Sequence, residues 1–274
     1  MNPRIVRINT ANNDFQHIEV ISRNRRKRHQ HGTFLVEGVQ AINRAIAYHW
    51  AIDAFIYGPE ADLSDWAISI LQESPAKVHY QLHPALMEQL SDKENTSELL
   101  ALVSIPVDDL SRIPITENFL GIILDRPTSP GNLGTIIRSC DSFSANGMVI
   151  TGHSADLYDP QTIRASIGSI FTLPSVRAAS YKDLIPWFAQ IKKRYPNFQV
   201  IGSSAKATTD ILEVDFTRPT AFVLGNETSG LSWNLRTLCD DLVRIPIYGS
   251  ASSLNIACAA SIFLYESNQQ RRRK

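Results

Sequence analysis

Leu224-Gly225-Asn226-Glu227-Thr228-Ser229-Gly230, followed by Ile245-Pro246-Ile247-Tyr248-Gly249 and Ser253-Leu254-Asn255-Ile256-Ala257, is the stretch around which the chain reads as organised. Two short apolar strands end here at glycines, and the second leads through a Ser-rich loop into a helix. Glycine has no Cβ, so a strand ending in it brings its backbone N–H and C=O close to a flat ligand. A third segment, from Leu124-Asp125-Arg126-Pro127-Thr128-Ser129-Pro130 through Gly131-Asn132-Leu133-Gly134-Thr135-Ile136-Ile137-Arg138, is again strand, tight Pro/Gly loop and helix start. The expectation is three loops gathered at one edge of one sheet.

Outward from there, composition sets limits. The 274 residues are 43% apolar and 20% charged, enough for two cores. Lys+Arg and Asp+Glu both number 27, so a nucleic-acid binder of this composition must concentrate its basic residues locally. The three cysteines, Cys140, Cys239 and Cys258, lie far apart without a CxxC pair. That argues against a zinc site or a disulfide framework and suits a reducing cytoplasm. No apolar run reaches membrane-spanning length and no secretory signal core is present, so a soluble cytoplasmic protein is expected. The glycine loops match neither the dinucleotide nor the phosphate-loop fingerprint.

Along the N-terminal part, a weak helical pattern of Phe15, Ile18 and Ile21 predicts a helix over 13–28 that ends in Arg23-Asn24-Arg25-Arg26-Lys27-Arg28. This run reads two ways: cations suited to a helix C-terminus, or a phosphate-binding patch. Strands over 34–36, 54–57, 77–80 and 99–105 alternate with helices carrying Val39, Ile42, Ala45 and Ile46, then over 63–71 and 84–90, predicting a small three-layer α/β domain. The turn-rich stretch 106–118 reads as a linker. Beyond it, strands are expected over 119–124, 147–151, 171–176, 198–202, 221–224 and 242–245. Helices are expected from Asn132 as N-cap, from Asp159-Pro160, over 180–195 with a box-like Ser180/Asp183 start, and over 254–265 with Ser253 as cap. The last is apolar on nearly every side, the mark of a buried helix. Arg271-Arg272-Arg273-Lys274 reads as a frayed tail.

The three loop segments, in their order and spacing, resemble the signature motifs of the SpoU/TrmH-type RNA ribose 2'-O-methyltransferases of the SPOUT superfamily, over about residues 119–267. The resemblance implies an α/β fold whose C-terminal segment threads a loop to form a trefoil knot. The Arg-rich run with Phe34-Leu35-Val36-Glu37-Gly38 is similar to the start of the ribosomal-protein-like RNA-binding domain that precedes many of these catalytic domains. The implied organisation is an RNA substrate-binding domain over 1–105, a linker over 106–118 and a SPOUT methyltransferase domain over 119–274. For the last helix, the resemblance favours a homodimer interface over a central helix of one subunit.

What the resemblance implies for chemistry is S-adenosylmethionine as cofactor. Its methyl sits on a cationic sulfur, so the leaving group is already activated and no metal is needed. The family pattern gives Leu224, Gly225, Asn226, Ile245, Ile247, Gly249, Ser253, Leu254 and Asn255 to the cofactor. It gives Arg138, Asn132, Glu227, Ser253 and Asn255 to the reaction. Asn132 and Ser253 also read as plain helix caps and Glu227 as an exposed loop carboxylate. Arg25, Arg26, Lys27, Arg28 and Arg164 are the RNA-phosphate candidates. The implied partner is structured RNA, with large-subunit rRNA the first expectation. Transfer RNA, or a non-catalytic RNA-binding assembly factor, is the alternative.

Overall fold

The computed structural model describes residues 3–73, 76–91 and 95–273. Its first elements are β1 (Arg4–Ile8), α1 (Asn13–Arg23), α2 (Arg25–His31), β2 (Thr33–Glu37), α3 (Val39–Ala47) and β3 (Ile52–Tyr57). There follow α4 (Asp65–Glu73), β4 (Val78–Leu82), α5 (Pro84–Leu90), β5 (Leu99–Ser104), β6 (Leu120–Asp125), α6 (Pro130–Ser142), β7 (Gly147–Thr151) and α7 (Pro160–Ser166). The rest are β8 (Ser175–Ala178), α8 (Leu184–Arg194), β9 (Gln199–Ser203), β10 (Thr209–Asp210), β11 (Thr220–Leu224), α9 (Trp233–Arg236), β12 (Asp241–Arg244) and α10 (Ile256–Arg272). The chain divides into two compact units. One holds the residues up to Val107 together with Tyr158–Thr172; the other holds Asp108–Leu157 and the residues from Leu173 onward.

The first unit is a five-stranded mixed sheet, in the order β1-β4-β3-β5-β2, with β5 antiparallel to both neighbours. Phe15, Ile18 and Ile21 bury the predicted face of α1. The single helix expected over 13–28 is two helices, because Asn24 leaves helical geometry (φ −121°, ψ 110°) and its side chain accepts from Lys27 N to cap α2. An Asn side chain competes with the helix for backbone donors and so favours a cap. This break changes the basic run. Arg26 is exposed and Arg25 and Lys27 are half-buried, but Arg28 is 2% exposed. Its Nη1 donates to Ile21 O (3.0 Å) and Ser22 O (2.7 Å), and its Nη2 lies 3.5 Å from Asp159 Oδ2. Arg28 therefore leaves the set of RNA-phosphate candidates: the final carbonyls of α1 and a carboxylate take its donors.

Asp159 is the N-cap of α7, which together with the turn Ser169–Phe171 belongs to this unit. Phe34 lies against Tyr158 (ring centroids 4.7 Å), Trp50 against Phe171 (5.1 Å), and Trp50 Nε1 donates to Phe171 O at 3.0 Å. The strand expected over 171–176 begins only at Ser175, since Phe171 is drawn into this aromatic cluster. The edge strand β1 was not foreseen, because its residues are mostly exposed and carry no apolar alternation.

The second unit is a seven-stranded, wholly parallel sheet in the order β10-β12-β9-β11-β6-β7-β8. Every residue of β6, β7 and β11 is buried, as expected where both faces of a parallel sheet are covered. The stretch read as a linker is packed from Asp108 on. Asp108 Oδ1 accepts from Arg177 N (2.9 Å), Arg112 Nη1 donates to Ser175 O (3.3 Å), and Ile113 enters the core at 2% exposure. These side chains satisfy the outer backbone groups of the edge strand β8. Ser180 and Asp183 do form a capping box, around a 3₁₀ turn; α8 starts after it, and Pro186 falls in its first turn, where no N–H is lost.

Three end assignments differ from the sequence reading. Ser129, not Asn132, caps α6, accepting from Asn132 N. Asn255, not Ser253, caps α10 through Ala257 N and Cys258 N. The basic tail is held down at Arg271, whose guanidinium donates to the carbonyls of Asn118, Phe119, Phe216 and Arg218 at 2.7–3.0 Å, and burial lowers its pKa. Lys274 lies outside the described residues. α10 is buried on one face by Ile256, Ala257, Ala260, Phe263 and Leu264, packs on α6 and β11, and leaves Cys258 and Tyr265 exposed.

Candidate active site

All strands of the second sheet run the same way, so the loops after β6, β11 and β12 leave from its carboxyl edge, where open α/β sheets take their ligands. β6 and β11 are direct neighbours, Leu124 pairing with Leu224. Each loop is fixed by its own chemistry. At the end of β6, Asp125 is 2% exposed and accepts from Arg126 Nε (2.9 Å), Arg126 Nη2 (3.2 Å) and Ser232 N (2.6 Å). Arg126 adopts a left-handed conformation (φ 53°), a cost offset by that fork and by Asn226 Nδ2 donating to its carbonyl at 2.8 Å. Asn226 Oδ1 in turn accepts from Thr228 N and Ser229 N, so its amide is committed to shaping the loop.

Three of the five polar residues assigned to chemistry, Glu227, Asn132 and Asn255, meet in one chain. Glu227 accepts from Thr128 N (3.1 Å), Thr128 Oγ1 (3.0 Å), Ser129 N (3.4 Å) and Asn132 Nδ2 (3.3 Å). Asn132 Oδ1 then accepts from Asn255 Nδ2 at 3.1 Å. A single relay, Glu227 to Asn132 to Asn255, thus joins all three loops. Partial burial alone would raise the Glu227 pKa, yet its backbone, Asn132 and Thr128 hydrogen bonds outweigh that and hold the carboxyl below its ordinary range. An ionised Glu227 is an acceptor only, which dictates that Asn132 turns its NH₂ to it and its oxygen to Asn255.

Arg138 and Ser253 stand apart from this relay. Both are exposed, and among the described residues the Arg138 guanidinium has no partner. Arg164 is exposed on α7, in the first unit. Sequence reasoning missed Thr128, Ser129, Asp125 and Ser232. The signal available was a carboxylate closing an apolar strand and hydroxyls just before Pro130.

The cofactor positions can be tested against S-adenosylmethionine by their chemistry. Among the described residues, the main-chain N–H and C=O groups of Ile247 and Leu254 have no partner, and both residues are partly or fully accessible. Such free donors and acceptors suit the edge of an adenine ring, so the loops fit the group. The two glycines differ. A Cβ on Gly225 would lie 2.2 Å from Leu231 N and 2.3 Å from Gly230 C, whereas one on Gly249 would meet nothing within 4 Å. Gly225 is required by its own loop folding back on it.

Comparison with known proteins agrees with this geometry. Residues 120–265 match the SpoU rRNA methylase family, and residues 12–101 match the SpoU L30e-like domain. The chain is 43% identical, over 98% of its length and 94% of the relative's, to a 23S rRNA (uridine(2479)-2'-O)-methyltransferase of Streptomyces viridochromogenes. It superposes with a TM-score of 0.91 on the SpoU methyltransferase AviRb from Streptomyces viridochromogenes in complex with AdoMet, at 43% identity, covering 96% of this chain and 99% of that one. An AdoMet-bound rRNA methyltransferase from Sinorhizobium meliloti gives 0.83 at 26% identity, covering 97% and 98%. A resemblance first carried by three loops extends over both parts of the chain. The protein belongs to the SpoU rRNA methylase family.

Proposed function

We propose that this protein transfers a methyl group from S-adenosylmethionine to a ribose 2'-OH in 23S ribosomal RNA. The observation that carries the reading is the relay Glu227–Asn132–Asn255, which ties the three loops into one polar site. The cofactor supplies an electrophilic methyl on a cationic sulfur. The protein's task is to hold the loops still, orient the ribose and deal with one proton. Glu227 fixes the loop over Thr128 and Ser129, and Asn255 positions the carbonyl end of Asn132. Arg138, exposed on α6 and unpaired among the described residues, grips the phosphate beside the target ribose and stabilises negative charge developing on the 2'-oxygen.

Arg25, Arg26, Lys27 and Arg164 supply phosphate contacts from the first unit, and their exposure or partial exposure supports that role. The reading includes a homodimer that covers the exposed side of α10, a threaded C-terminal segment, and work in the cytoplasm where ribosomes are assembled. The test is to incubate the purified protein with labelled S-adenosylmethionine and either 23S rRNA or bulk tRNA, and to map 2'-O-methyls in rRNA from cells lacking it. One methyl in 23S rRNA, lost in the deleted strain, is expected. Methylation of tRNA alone would overturn the substrate, and none at all would overturn the activity.

A further inference from the structure

Trp233 and Tyr248 are 76% and 96% exposed, more than any other aromatic side chain among the described residues. Single exposed apolar residues are ordinary and need no account. These two differ in where they stand. Trp233 opens α9 directly after the Glu227 loop, and Tyr248 lies in the loop between β12 and α10 that carries Ile247 and Gly249. The backbone around Trp233 is fixed, and both rings stay in water. On one side of Trp233, Ser232 N is held by Asp125 Oδ2 at 2.6 Å and Ser232 Oγ accepts from Leu235 N; on the other, Leu235 is buried at 1% exposure. Tyr248 follows three half-buried residues, Ile245, Pro246 and Ile247.

Each ring has an exposed arginine close in sequence: Arg236 three residues after Trp233, and Arg244 four residues before Tyr248. Among the described residues neither guanidinium is hydrogen-bonded or ion-paired, Arg236 acting electrostatically only on the Cys239 thiol. Flat rings interleaved with free cations form the recurrent chemistry for single-stranded nucleic acid, bases stacking on the rings while the cations follow the phosphates. We propose that Trp233 and Tyr248 are stacking platforms for unpaired nucleobases flanking the target nucleotide, with Arg236 and Arg244 on the adjoining phosphates. They select RNA whose target is unstacked.

This rests on the rRNA methyltransferase reading, and the experiment separates the two. Steady-state methylation of 23S rRNA is measured for the full-length wild type and for Trp233→Ala, Tyr248→Ala, Trp233→Phe and Tyr248→Phe. Each Ala variant raises KM for RNA by about 10-fold, the scale of one lost base–aromatic stack, while kcat at saturating RNA and S-adenosylmethionine affinity hold. The Phe variants, which keep a stacking face, retain a KM near wild type. A single-stranded oligouridylate quenches the tryptophan fluorescence of the wild type and not of Trp233→Phe. An active wild type with unchanged KM in both Ala variants overturns the platforms alone. A shift of oligomeric state in the Ala variants, read by sedimentation, assigns the surface to a second copy and overturns them too. An inactive wild type sinks the underlying function instead.

Discussion

Arg138 stands six residues beyond Asn132 on α6, exposed and clear of the relay of Glu227, Asn132 and Asn255. Guanidinium is a poor general base and a good electrostatic clamp. Lysine keeps the charge and gives up a proton more readily, but it loses the planar fork. If orientation governs, Arg138→Lys and Arg138→Ala both lose about 100-fold or more in single-turnover methylation, with cofactor affinity intact. A lysine variant whose activity rises steeply with pH would instead make this position the proton acceptor. Near-normal turnover by Arg138→Ala would remove it from the site. Glu227 presents the opposite case, a residue legible as an exposed loop carboxylate whose oxygens are taken up by Thr128, Ser129 and Asn132. Glu227→Gln puts an amide against the donors of Thr128 N and Asn132 Nδ2 and is expected to lower turnover about 10- to 100-fold, the range for hydrogen bonds to a charged group.

At the scale of elements, the two glycines that look alike as strand ends separate. Gly225 lets residues 230–231 fold back to within van der Waals contact of β11, while Gly249 has open space around it. Gly225→Ala must push the backbone of the Glu227 loop away, at a cost of about 1–3 kcal/mol typical of overpacking, and loosens S-adenosylmethionine as a consequence. Gly249→Ala leaves the melting temperature unchanged, so any effect it has appears only as weaker cofactor binding. Thermal melts with and without cofactor, beside calorimetric affinities, check both. An unaltered melting temperature in Gly225→Ala would mean that the loop yields freely and the close approach has no energetic weight.

For the whole molecule, the decisive feature is that Tyr158–Thr172 leaves the sequence of the second unit to complete the first. Arg28, itself buried, bonds two carbonyls of α1 and reaches the partly exposed Asp159 at the start of that excursion, and each hydrogen bond made by a charged group contributes about 1.5–3 kcal/mol. Arg28→Ser is therefore expected to lower stability sharply, while Arg25→Ser, Arg26→Ser and Lys27→Ser combined leave it nearly intact and flatten the salt dependence of RNA binding. Urea denaturation and binding measured across ionic strength distinguish the two sets. A fragment beginning at Asp108 retains the parallel sheet but leaves Tyr158 and Phe171 without Phe34 and Trp50. It is expected to melt lower and bind hydrophobic dye, and a fragment as stable as the full chain would show that the excursion folds without its aromatic partners.

Local chemistry made a good deal of this protein legible in its sequence. Apolar runs closed by Asp125 and Gly225 locate β6 and β11, and Met148-Val149-Ile150 locates β7, because both faces of a parallel sheet must be buried. The polar residues of the three loops could be named because their types and spacing form a pattern along the chain. What the sequence could not carry is which partner each polar group finds at long range. Arg28 and Arg26 are neighbours in one basic run, yet one is buried on Asp159, 131 residues away, and the other faces water. Arg271 reads as frayed tail and is bound to four carbonyls from segments up to 153 residues distant. Helix periodicity and turn propensity are short-ranged, whereas hydrogen-bond satisfaction in the interior depends on which segments the topology brings together. The sequence by itself located most of the strands and the three loops; only the tertiary structure decided which charges face water and which hold the fold, because long-range partners depend on topology.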